Sequence, residues 1–197
     1  MKIPSPMYTT VMSIFAGEYD IDYKKERPVI LDIGANVGGF AVWANQRWDN
    51  ATIHCYEPSK SNYEWLQINT ENIPNVNIFN VAVGQQAEEL KLFHGLGSNL
   101  CRASLRRGVE QADYGELVQI IPASSLPKAD IVKIDTEGWE VPILAAIEFQ
   151  PDIYILEYHS IEDMNSIAKI LANYTLVEHN VTRPDLGVVK YSIVKET

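Results

Sequence analysis

A handful of polar residues stand where short apolar runs of this chain stop. Asp32 and Gly34 end the run that begins at Val29, and Glu57 ends residues 51–56. Asp135 and Glu137 end residues 130–134, and Glu157 and His159 end residues 152–156. Carboxylates and an imidazole are the groups that hold hydroxyls and cations and move protons near neutral pH. Packing gives no reason for them to collect at the ends of apolar strands. In an open α/β sheet, however, the carboxyl ends of the strands form the edge where ligands bind.

The run Val29-Ile-Leu-Asp-Ile-Gly-Ala-Asn-Val-Gly-Gly-Phe40 is the most informative of these. It reads as a strand, a glycine-rich turn and the start of a helix, which brings backbone N–H groups and a helix N-terminus to a polar ligand. A dinucleotide fingerprint needs glycine at its second position so that a pyrophosphate can approach. Here the turn is Gly34-x-Asn36-x-Gly38, and the Asn36 side chain would crowd that group. A smaller nucleoside–amino acid cofactor, S-adenosylmethionine, is expected, and NAD is disfavoured. Glu57 follows Gly34 at close to the roughly 20-residue offset of a ribose-binding acid, and its carboxylate can accept both ribose hydroxyls. Asp32 is expected to be partly buried, bonded to the N–H groups of the turn or, directly or through water, to a cofactor ammonium.

The elements that must position these residues alternate. Strands are expected over Val29–Ile33 and residues 51–56, 75–83, 130–134 and 152–156, with helices over 38–48, 59–70, 139–147 and 161–173. That order implies a parallel sheet with crossover helices. A lead-in (1–27) precedes the cofactor-binding half (28–84), and a variable insertion (85–122) holds two short strands, 89–94 and 116–121. The catalytic half (123–197) closes with a hairpin of 174–181 and 188–194. The expected fold is an α/β three-layer sandwich in one domain, with a seven-stranded, mostly parallel sheet and a C-terminal antiparallel hairpin.

A chain of 197 residues, 46% hydrophobic and 21% charged, suits one soluble core. It has no apolar run long enough to span a membrane and no signal-peptide pattern. Two cysteines, Cys55 and Cys101, make no disulfide framework, so a reducing, cytoplasmic setting is expected. The net charge of −10 argues against DNA or bulk RNA as a partner. Arg102, Arg106 and Arg107, in the insertion, form a local basic cluster that could grip an anionic group of a substrate.

Five motifs occur in order: Asp32-Ile-Gly-Ala-Asn-Val-Gly38, Glu57-Pro58, Val81-Ala-Val-Gly84, Lys133-Ile-Asp-Thr-Glu-Gly-Trp-Glu140 and Glu157-Tyr-His159. Over residues 28–160 the chain resembles the FkbM family of S-adenosylmethionine-dependent methyltransferases, with class I, Rossmann-like architecture. The resemblance implies methyl transfer, usually to a hydroxyl oxygen of a sugar, glycan or small metabolite, with S-adenosylhomocysteine as product. It implies cofactor contacts from Asp32, Gly34, Ala35, Asn36, Gly38, Glu57 and Pro58, with Ala82 and Val83 beside the adenine and Asp135 at the reacting end. The chain departs from the family at Ser125-Leu-Pro-Lys, where a Leu-Asp pair is common.

A neutral alcohol benefits from a base, and His159 is the first choice, with Asp135 and Glu157 as alternatives. The competing reading is that His159 caps the next helix or bonds a carbonyl. Asp135, Glu137, Glu157 and His159 could also hold magnesium or manganese, although no metal is expected. Glu137 and Glu140 equally suit the positive end of a helix. A non-catalytic cofactor-binding subunit stays open as an alternative. An RNA ribose methyltransferase is disfavoured by charge, and a nucleobase amino-methyltransferase by the absence of an Asn/Asp-Pro-Pro-Tyr run.

Overall fold

The computed structural model describes residues 1–94, 103–104 and 115–193. The chain runs through α1 (Tyr8–Ser13), β1 (Val29–Ile33), α2 (Gly39–Arg47), β2 (Thr52–Tyr56), α3 (Lys60–Thr70) and β3 (Val76–Phe79). It continues with β4 (Ala82–Gly84), β5 (Glu88–His94), β6 (Ala103–Ser104) and β7 (Gly115–Pro122). The last part holds β8 (Ile131–Ile134), α4 (Glu140–Ala146), β9 (Ile153–Tyr158), α5 (Ile161–Ile170), β10 (Tyr174–Arg183) and β11 (Leu186–Ile193).

The seven-stranded sheet has the order β10-β11-β9-β8-β1-β2-β3. Its five central and right-hand strands pair in parallel, while β11 is antiparallel to both β9 and β10. The second strand of the hairpin, not the first, docks on the parallel core. Residues Leu186 to Tyr191 are buried throughout, whereas β10 is largely exposed. An apolar run buried on both faces belongs inside a sheet, and the polar strand takes the edge.

The expected third strand is two strands. β3 ends at Phe79, and β4 starts at Ala82 in a separate four-stranded sheet of order β4-β7-β5-β6. The apolar letters on both sides of Asn80 hid the break. The Asn80 side chain donates to the carbonyls of Glu57 (2.9 Å) and Pro58 (3.0 Å), and this pulls the chain across the end of β2. The small sheet then stands above the carboxyl edge, with Ala82 and Val83 facing it.

Strand alternation divides the core. Ile30, Ile53, Ile131 and Ile155 pack under the α2 side with Phe40, Ala44 and Leu66. Leu31, Ile33, Val132, Ile134 and Leu156 pack on the other face with Ile143, Leu144 and Ile167. The chain leaves β1 toward β2 and later returns on its other side as β8, so the topological switch point lies between β1 and β8. Register places Asp32 beside Lys133, and two steps further on Gly34 lies alongside Asp135.

Gly34 is required there. Its φ is +80°, and a Cβ would lie 1.8 Å from the carbonyl oxygen of Asp135. Replacement by alanine should therefore cost at least about 2 kcal/mol of stability. Denaturant unfolding of Gly34→Ala checks this, the expected result being a lower midpoint at unchanged slope.

Candidate functional site

The floor of the site is a buried ion pair. The Lys133 Nζ lies 3.0 Å from Asp32 Oδ1 and 3.6 Å from Asp135 Oδ2, and donates to the Gly34 carbonyl at 2.7 Å. Asp32 is fully buried, and the Lys133 side chain is 4% exposed. Burial alone would push the ammonium down, but the two carboxylates hold it above its ordinary value. Asp32 is raised by burial, with Lys133 opposing the shift. It lies behind the cleft and not on its surface, so its partner is this lysine and not the N–H groups of the turn. The sequence reading quoted Lys133 within a motif but gave it no role.

Above this floor lies a cleft of about 560 Å³, in the range of small-molecule sites. Of the expected cofactor residues, Gly34, Asn36, Glu57, Pro58, Ala82, Val83 and Asp135 line it. Ala35 and Gly38 are buried outside its lining and shape the turn. Glu57 ties that turn to the end of β2. Its Oε2 accepts the Asn36 N–H at 2.7 Å and its Oε1 accepts the Ser59 N–H at 2.9 Å. The Ser59 hydroxyl pairs with Ser61 at 3.0 Å and makes no cap bond to the helix it precedes. Burial pushes the Glu57 carboxyl up to about 7, against the pull of those two N–H groups. Asn36 has a φ of 51°, and its buried Oδ1 has no partner among the described residues.

The other end of the cleft is acidic. Burial raises the Asp135 carboxyl, but Lys133 and a hydrogen bond from Glu157 overcome this, and it is held below its ordinary range. Glu157 is pushed far up by burial and by Asp135. The His159 ring lies 3.2 Å from Glu137 Oε2, 3.2 Å from Glu140 Oε1 and 3.4 Å from Glu157 Oε2. Burial alone would lower the imidazole, yet Glu137 and Glu140 outweigh it and raise it to about 11. Three carboxylates around the ring favour its protonated form, and a protonated ring is poorly suited to the role of base expected of His159. It is not a helix cap either, because the Ser160 Oγ accepts the Asp163 N–H at 3.0 Å. Asp135, Glu157 and His159 present ligand atoms within 4.8 Å of one another, the spacing of a divalent-ion site, and carboxylates already surround the ring.

Glu140, fully buried, organises the loop that carries Glu137. Its Oε1 accepts the N–H groups of Thr136 and Gly138, both at 2.9 Å. Glu137 itself has a φ of 54°. The helix-start reading of Glu140 holds, with loop anchoring added.

One wall was not read from the sequence at all. The lead-in folds over the site and contributes Thr10, Ser13, Glu18 and Tyr19 to the cleft. Tyr19 is 4% exposed and packs edge-on against Phe40, and its hydroxyl donates to Asp135 Oδ2 at 3.3 Å. Lys190, fully buried in β11, donates to the Asp20 carbonyl and to Glu178 Oε2, both at 2.7 Å, and staples this segment down. Its broken helical pattern carried no signal of that role. Arg102, Arg106 and Arg107 lie outside the described residues.

This arrangement was compared with known proteins. Residues 32–179 match the family described as the methyltransferase FkbM domain. The chain belongs to the FkbM methyltransferase family. Similar proteins include the methyltransferase sdnD of Sordaria araneosa, 25% identical over 166 residues, 66% of this chain and 64% of that protein. The hexuronic acid methyltransferase AglP of Haloferax volcanii is 22% identical over 173 residues, 81% of this chain and 70% of its own. The fold is that of the crystal structure of an FkbM methyltransferase from Methylobacillus flagellatus KT. Their TM-score is 0.64 at 15% identity, over 90% of this chain and 47% of the other. This FkbM chain thus spans just under two thirds of the fungal relative and about half of the bacterial structure.

Removing one partner of a buried ion pair typically costs about 3–5 kcal/mol. Lys133→Met should therefore lower the melting temperature by roughly 6–20 °C for a chain of this size. The double variant Asp32→Asn/Lys133→Met should recover part of that loss, as read by calorimetry.

Proposed function

We propose that the chain binds S-adenosylmethionine in this cleft and transfers its methyl group to a hydroxyl oxygen of a sugar, glycan or other small metabolite. The observation that carries the reading is the cradle at the switch point. A buried carboxylate (Glu57), a glycine that no side chain could replace (Gly34) and an unpartnered amide oxygen (Asn36) all line one cleft. Those donors and acceptors fit a nucleoside with a free amino acid end, and family membership supports the same cofactor.

When bound, S-adenosylmethionine supplies an activated methyl, which the acceptor oxygen takes in line as the carbon–sulfur electron pair stays on sulfur. The chain's own part is to orient the two partners, which is worth up to about 7–11 kcal/mol in well-aligned reactions. Glu57 would hold the ribose hydroxyls, Gly34 and Asn36 the amino acid end, and Ala82 and Val83 would lie beside the base. Asp135, ionised beside Lys133, receives the acceptor's proton. A weak base is sufficient, since that proton becomes strongly acidic only as the new carbon–oxygen bond forms. Protonated His159 fixes Glu137 and Glu157 around the acceptor.

Isothermal calorimetry with S-adenosylhomocysteine tests the cofactor. Ligand at 100 times its Kd should stabilise the fold by about 2.7 kcal/mol, with no such effect from NAD and a much smaller one in Glu57→Ala. No binding at millimolar ligand would sink the reading. The ribose hydroxyls donate to an ionised Glu57, whose carboxyl titrates near 7. Affinity should therefore fall up to about fivefold between pH 7 and pH 6 and level off above pH 8. Glu57→Gln should bind more weakly and lose that pH dependence.

Assignment of the base is tested by His159→Gln and Asp135→Asn. Asp135→Asn should lower kcat by about 10²-fold or more, in the range of acid–base catalysis. His159→Gln should lower it less and leave no pH step near 6.5 to be lost.

A further inference from the structure

From the charges that line the cleft, and resting on the methyl-transfer reading above, we infer that the acceptor is a sugar carrying no negative charge, neutral or amine-bearing, and not a uronate or a phosphorylated sugar. The strand order separates the two ends of the cleft. Glu57 and β4 mark the end at β1 and β2, whereas Asp135, Glu157 and the hairpin mark the end at β8, β9 and β11. The second end is where an acceptor must sit, beside Asp135.

Ionisable carboxyl and basic groups on the cleft surface are all acids, Glu18, Glu57, Asp135, Glu137 and Glu157, of which Glu157 is held toward its neutral form. Among the described residues, no lysine, arginine or histidine lines it. The two cations nearest the acceptor end are already engaged. The Lys133 ammonium faces Asp32, Asp135 and the Gly34 carbonyl, and its side chain is 4% exposed. His159 is held among Glu137, Glu140 and Glu157. Both cations therefore face carboxylates of the protein itself before any incoming carboxylate or phosphate.

What the cleft does offer is hydroxyls. Thr10, Ser13 and Tyr19 line it from the lead-in and Thr182 from the hairpin, and the Tyr19 hydroxyl reaches Asp135 itself. Ser13 donates to Glu18 Oε2 at 2.6 Å, which fixes that carboxylate at the cleft wall. Hydroxyls and carboxylates together recognise polyols and ammonium groups. Placing like charge against them without a counter-ion is strongly disfavoured, and this is how a site rejects a competing ligand of the same shape. The chain would thus differ in specificity from its hexuronic acid-methylating relative.

The test is a turnover assay with S-adenosylmethionine and three matched series of hexopyranosides: neutral, 2-amino and uronate. Turnover of the neutral or 2-amino series is expected, with kcat/KM for the uronate series at least about tenfold lower. Glu18→Gln should raise the ratio of uronate to neutral turnover, and added salt should narrow the difference by screening. Uronate preferred over neutral sugar would overturn the inference, and loss of that preference in Arg102→Ala/Arg106→Ala/Arg107→Ala would trace it to the insertion. Turnover of none of the three series would overturn the assignment to a sugar acceptor. S-adenosylhomocysteine binding, measured alongside, distinguishes the two failures: retained binding leaves the cofactor reading standing, and lost binding removes it.

Discussion

The ion pair between Asp32 and Lys133 is the constraint on which the rest of the site depends. Two neighbouring parallel strands place one residue of each at the same height on the same face, and these two carry opposite charges in a fully dry position. Neither could be there alone, since an unpaired buried charge costs several kcal/mol. Once paired, the lysine reaches upward to the Gly34 carbonyl and to Asp135. One ammonium therefore holds the turn after β1 and the end of β8 in a common geometry across the switch point. The carboxylate that faces the cleft owes its ionised state to a cation that no ligand can touch.

A second arrangement of the same kind lies one strand over. His159 is a cation with three carboxylates around it, and Glu140 in turn anchors the loop that carries one of them. Positive charge in this site is structural and sits inside; negative charge faces the ligand. That division fits a cofactor whose reactive centre is a sulfonium. It also separates the two acids: Lys133 stabilises Asp135 as an anion, and burial together with Asp135 pushes Glu157 toward its neutral form.

The sequence made the turn and the Glu57 end of the cleft legible and the Asp135 end much less so, for physical reasons. Asp32, Gly34 and Glu57 act through local features, a strand end, a turn and a fixed offset, and short-range pattern reveals such features. Lys133 lies inside an apolar run, and its partner is set by strand register, which no local pattern encodes. Tyr19 reaches Asp135 across a separation of 116 residues from a segment whose prolines and glycine blurred its periodicity. The Asn80 break was hidden because the strands on both sides of it are apolar. His159 was legible as a functional residue but not as a charged one, because its state depends on Glu137 and Glu140, which only the folded loop brings to it. The antiparallel hairpin was legible in its two strands and turn, while which strand faces inward followed from burial on both faces of β11.

The lead-in has a consequence for how the cleft comes into being. Its hold on the site depends on Asp135 and Lys190, the latter 170 residues downstream of the carbonyl it binds. At ribosomal rates of about 5–20 residues per second, that wall waits roughly 10–30 s after its own synthesis for its anchor. The sheet edge, its turn and the buried lysine can assemble in the meantime, so the pocket is finished from the inside out. Met7, Val11 and Ile14, in and beside α1, pack against Val37, Trp65 and the start of α2, all made early, so the segment has its apolar seat before its last polar anchor arrives.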